Sequence, residues 1–155
     1  MNRDQLLSRL DAAWTAFRSA YDGMSNEQLL EPGVAGDWSV KDLIAHVSWW
    51  EDEALTHLPH IAAGGRPPRY SAKYSGIDAF NALMADRKRE LSLAEVLRQA
   101  AETHERLVAY VGSVPEEHFV RETRFRRRLR LDTYSHYPIH TEAIRRWRQG
   151  HAGQG

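Results

Sequence analysis

Apolar residues recur at intervals of three and four along most of the chain, and this helical period constrains the fold more than any other feature. Leu6, Leu10, Trp14, Phe17 and Tyr21 form one such line and predict a helix over residues 3–22, with Gly23 at its end. Leu43, Val47, Trp50 and Ala54 form a second, over residues 39 to about 60, opened by Ser39 and Asp42 in the capping-box spacing. A shorter piece covers about Ile77 to Arg89. The next helix starts at the pair Ser92 and Glu95, with Ala100, Leu107 and Val111 on its apolar stripe. The last helix runs to Gln149, with arginines near its negative end and Gly150 in the stop position. Only "TRFRRRLRL", residues 123–131, has period two, so it is expected to be a short extended segment. Four principal helices with long connections and almost no strand predict an all-α fold, a four-helix bundle.

The 155 residues suffice for one core and hardly for two, so residues 1–149 are expected to form a single domain with 150–155 as a flexible tail. With no cysteine there is neither disulfide nor thiolate metal site. No apolar run approaches the length that crosses a bilayer, which leaves a cytoplasmic protein with no membrane partner as the expectation. Lys plus Arg equals Asp plus Glu at 21 each, and a general nucleic-acid binder normally carries a basic surplus. No nucleic-acid partner is therefore expected. The five arginines of residues 124–130 could meet an acidic partner, but the neutral balance favours a solvated face that discourages aggregation.

Eight histidines are generous for this length. In "TYSHYPIHTEAIRRW", His136 and His140 stand four apart, on one face of a helix and near enough to share a metal. Pro138 lies between them. With Ser135 as cap, the proline falls in the first turn, where its missing N–H had no intrahelical partner. The pattern is not that of the zinc peptidases, because Tyr137 stands where their catalytic glutamate would be. Taken alone, the pair reads as polar surface histidines near a helix start rather than as a metal site. A third ligand would come from elsewhere. His46 borders the apolar line of the second helix, with Asp42, Trp49 and Trp50 on its face; alone, it reads as a hydrogen-bonded core histidine. His104 interrupts an apolar stripe and reads as a satisfied buried histidine or a cavity lining.

"GDWSVKDLIAHVSWWE", residues 36–51, followed far downstream by "TYSHYPIHTEAIRRW", resembles the DinB/YfiT-like superfamily of four-helix bundles, close to the ClbS/DfsB group. "GIDAFNALMADRKRELSLAEVLRQAAETHERL" resembles the middle of that group, so the likeness extends over nearly the whole chain. The resemblance implies a three-histidine site, His46 from the second helix with His136 and His140 from the last. Three neutral nitrogens leave a position open, as in catalytic rather than structural zinc sites, and zinc or nickel are the metals expected. It also implies a small-molecule substrate, a low-molecular-weight thiol as co-substrate, and a homodimer as a common assembly. Trp49, Trp50 and Tyr137 would shape the pocket, and Asp42 and Asp132, each four residues before a ligand, would orient imidazoles. Two functions follow as expectations. One is a metal-dependent enzyme that directs a thiol or water at a small electrophile. The other is a ClbS-like binding and resistance protein in which the metal is incidental or absent.

Overall fold

The computed structural model describes residues 1–151. Eight α-helices follow one another: α1 (Arg3–Tyr21), α2 (Asn26–Leu30), α3 (Val40–Ala62), α4 (Tyr70–Lys73), α5 (Ile77–Arg89), α6 (Leu93–Ser113), α7 (Arg124–Asp132) and α8 (Tyr137–Gly150). Among the described residues no strand forms, and an isolated bridge between Ala35 and Trp38 pins the loop before α3. No described helix is long and apolar enough to cross a membrane.

Helix α3 is the central element. It packs on α6, α7 and α5, while α1 packs along α8 and α6. Its start is fixed by the predicted capping box: Ser39 Oγ accepts from the Asp42 amide at 3.1 Å, and the Asp42 carboxylate accepts from the Ser39 amide at 2.9 Å. Such a cap satisfies two amides that a helix start otherwise leaves orphaned. Because α3 is covered on several sides, its buried set is broader than the single line seen in the sequence, and runs from Val40 to Ile61. Leu6, Leu10, Phe17, Leu107, Leu129 and Ile144 join it in one core cluster.

The period-two segment is a helix. Phe125 and Leu129 alternate with arginines, but they also lie four apart, and Asp132 continues the same face. That face packs on α3, whereas Leu131, the residue that completed the alternation, is 56% exposed. Thr123 caps the helix by accepting from the Arg126 amide at 3.1 Å. The ion pair between Arg128 and Asp132, both within the helix, has the i, i+4 spacing that a helix brings onto one face.

The helix breaks at Thr133 and resumes at α8 with His136 in the cap position, one residue later than the expected Ser135. Pro138 still falls in the first turn, so no intrahelical hydrogen bond is lost to it. Helix α8 runs through Gly150, where a stop was expected, and residues 152–155 of the expected tail lie outside the described residues.

Candidate metal centre

His46 enters the site from the second turn of α3, and His136 and His140 from the start of α8. The Nε2 atom of His136 lies 3.0 Å from Nε2 of His46 and 2.9 Å from Nε2 of His140. One ligand atom from each ring falls within 4.8 Å of the others. His46 is buried at 6% exposure, and the two α8 rings are half-buried.

The donor set fits a divalent cation. A neutral imidazole nitrogen carries either one hydrogen or one lone pair in the ring plane. Nε2 of His136 therefore cannot make two separate hydrogen bonds, and in the metal-free trio two neighbours compete for one orbital. A cation takes all three lone pairs at once. A tetrahedral centre with bonds of about 2.0–2.1 Å sets its nitrogens roughly 3.3 Å apart, which small ring rotations would provide. Burial, followed for His46 and His136 by the neighbouring rings, holds the histidines neutral: His46 at about 2, His136 at about 3 and His140 at about 4. Neutral imidazole is the form that ligates.

The surroundings of the trio are aromatic. Trp49 meets His46 edge to face at 4.9 Å between centroids, and Trp38 lies 5.0 Å away on another side. The Nδ1 atoms of His46 and His136 are buried with no hydrogen-bond partner. Trp38 also borders a cleft of about 400 Å³ against α5, lined by Asp78, Asn81, Ala85 and Arg89. Sequence reasoning passed over Trp38 as a wall of the site, although the tryptophan of the "GDW" loop was visible as part of a motif.

Several expected neighbours lie elsewhere. Asp42 does not touch His46, because its carboxylate is taken by the capping box. Asp132 does not orient an imidazole: it pairs with Arg128 at 2.6 Å, and burial, opposed by that pairing, lifts its carboxyl to about 6. Trp50 turns away from the trio and packs on Tyr70 and Phe80, its Nε1–H donating to Asn81 at 2.9 Å. Trp49 donates to the same Asn81 oxygen at 3.2 Å.

His104 and Tyr137 belong to a separate buried network. Nδ1 of His104 lies 2.7 Å from Glu51 Oε2, and the Tyr137 hydroxyl donates to that oxygen at 2.7 Å. Glu51 was not singled out in the sequence. Its spacing from Ile44, Val47, Ala54 and Leu58 carried the signal, since it stands inside their apolar stripe.

A search of curated proteins finds no match. Two solved structures share the fold. The crystal structure of the colibactin self-resistance protein ClbS in complex with a dsDNA superposes with a TM-score of 0.77 at 15% identity, covering 94% of each chain. The sibling lethal factor precursor DfsB superposes with a TM-score of 0.80 at 16% identity, covering 97% of this chain and 96% of its own. The first of these overturns the expectation of no nucleic-acid partner. Net charge sums over the whole surface, whereas a duplex meets one face of it. On this chain Arg121, before α7, and Arg124 and Arg127, in its first turn, are each exposed despite the neutral total. A family profile described as the DinB superfamily matches residues 9–141, most of the chain: the chain belongs to the DinB superfamily.

Proposed function

We propose that the protein is a metal-dependent enzyme acting on a small electrophilic substrate, by thiol transfer or hydrolysis, at the site formed by His46, His136 and His140. The observation that carries this reading is the convergence of three neutral Nε2 atoms that cannot satisfy one another. Zinc or nickel suits the all-imidazole donor set. Held there, the metal would supply a Lewis-acidic centre with at least one position open to substrate or nucleophile. The protein's own part is positional. Trp49, fixed by its bond to Asn81, holds the His46 ring edge-on and keeps water from its back. Trp38 contacts that ring and also lines the α5 cleft, which offers space for the body of a substrate or of a low-molecular-weight thiol.

The test pairs metal content with turnover. Protein purified without chelator is expected to hold about one equivalent of zinc or nickel and to lose it in His46→Ala. It is also expected to accelerate either the reaction of glutathione with monochlorobimane, in which sulfur replaces chloride, or the hydrolysis of a nitrophenyl ester. Absence of metal after incubation with either ion overturns the reading.

A second reading is a ClbS-like binding and resistance protein in which the metal is incidental. The buried Nδ1 atoms of His46 and His136 favour it, because metal-bound histidines usually donate that hydrogen to an acceptor. ClbS was crystallised with double-stranded DNA, and this reading includes DNA contact through Arg121, Arg124 and Arg127. Replacing all three by Gln is expected to weaken duplex binding and to reduce the slope of log affinity against log salt by roughly 2–3, about 0.9 for each phosphate no longer neutralised. An unchanged slope in a mobility-shift titration rejects that surface.

A further inference from the structure

One cleft lies away from the histidine trio, between α1 and α6. It holds about 850 Å³ and is lined by Trp14, Tyr21, Leu97, Ala100, His104 and Val108 on its apolar side. Asp11, Arg18, Asp22 and Glu105 stand around it, three acids against one base. Leu97 and Val108 are partly exposed, and the His104 ring stacks on Trp14 at 3.8 Å between centroids, 8° from parallel. Behind His104 is Glu51, which has no solvent contact at all.

The chemistry of that pair fixes what His104 presents to the cleft. A carboxylate wholly removed from water is tolerated only when a proton offsets its charge. Burial raises the pKa of Glu51, opposed by its bonds to His104 and Tyr137. With the proton on Oε2, Glu51 is a neutral acid whose Oε2–H donates to the Nδ1 lone pair, which puts the ring hydrogen on Nε2. A proton on Oε1 would leave the Nε2 lone pair free, but Oε1 is buried with no partner to receive that hydrogen. The satisfied form makes Nε2–H a donor. That nitrogen bonds to no protein group and is absent from the buried unpartnered atoms, so it remains open to the cleft.

We propose that the α1–α6 cleft is a second small-molecule site, separate from the histidine trio, that takes an uncharged aromatic compound bearing a carbonyl group. Its ring lies against Trp14, Leu97 and Val108, and its carbonyl oxygen accepts from His104 Nε2–H. The acid-rich surround disfavours a carboxylate in the same place and admits a neutral acceptor. Trp14 stacking and Glu51 together hold the imidazole in one orientation, so the donor is pre-organised before the ligand arrives.

The probe is 2-acetonaphthone, titrated into metal-depleted protein and followed by the indole N–H signal of Trp14 in nuclear magnetic resonance spectra. Saturable binding with local shifts at Trp14 is expected. Affinity should fall at least tenfold in His104→Phe, which keeps the stack and removes the donor. It should be abolished in Ala101→Trp, which fills the cleft and leaves His104 and Glu51 in place. 2-Naphthoate should bind at least tenfold more weakly than the ketone. The proposal is overturned by any of four results: no saturable binding, equal affinity in wild type and Ala101→Trp, tighter binding of naphthoate, or binding that appears only after zinc is restored. The last would place the probe at the trio and leave the metal reading standing.

Discussion

His136→Ala should lower affinity for zinc by on the order of a thousand-fold, a larger loss than the 10–100-fold that follows removal of a mere supporting partner of a ligand. His136 is the shared vertex of the trio: its Nε2 atom is the one within hydrogen-bonding distance of both others. Without it, His46 and His140 remain on different helices, with nothing to bring two donors to one ion in a fixed angle. The fold itself should tolerate the change. His136 sits at the cap position of α8 but makes no side-chain capping bond, and its Nδ1 is already unsatisfied. The metal-free variant is therefore expected to melt within a few degrees of metal-free wild type. Zinc should separate them. At a thousandfold excess over its dissociation constant a ligand adds about 4.1 kcal/mol, and each kcal/mol shifts the melting temperature of a domain this size by roughly 2–4 °C. Wild type should gain about 10 °C with zinc and the variant close to none. Calorimetric melts with and without zinc check both halves. If zinc shifts both proteins equally, the stabilising ion sits elsewhere.

The ease of reading this trio from the sequence contrasts with its surroundings, and the reason is local geometry. His136 and His140 needed only the helical repeat to share a face. His46 needed the apolar line of α3 to show that it borders a packed surface. The supporting residues obey longer-range choices. Asp42 stands four residues before a ligand, as a supporting acid would, yet the helix start claims it because the capping box is made from the immediate chain. Asp132 stands four before His136, but α7 ends there and Arg128, one turn back on the same helix, reaches it first. Helix α7 was misread because Phe125 and Leu129 satisfy both periods, and the decision between them belongs to α3, which covers one face and leaves Leu131 in water. Charge arithmetic failed for a related reason. A total of zero says nothing about where on the surface Arg121, Arg124 and Arg127 are exposed.

Glu51→Ala should be the most destabilising single change away from the apolar core, at about 3–5 kcal/mol, the usual loss when one partner is removed from a buried charged pair. Glu51 is fully buried, Tyr137 is fully buried beside it, and both Tyr137 and His104 direct their polar atoms at one of its oxygens. Truncation leaves the fully buried Tyr137 phenol and the His104 Nδ1 facing a void, and the phenol has no water-exposed route to recover a bond. The melting temperature should drop by roughly 10 °C, taking 2–4 °C per kcal/mol. Tyr137→Phe gives the comparison that assigns the loss. It removes one donor and leaves Glu51 its bond to His104, so it should cost only about 1–2 kcal/mol. In the double variant Glu51→Ala, Tyr137→Phe the phenylalanine has no hydroxyl to strand, so the combined loss should be smaller than the sum of the two. Strict additivity would mean that the hydroxyl and the carboxylate do not act on each other. The network would then be a set of separate interactions, and His104 alone would depend on Glu51 for its orientation.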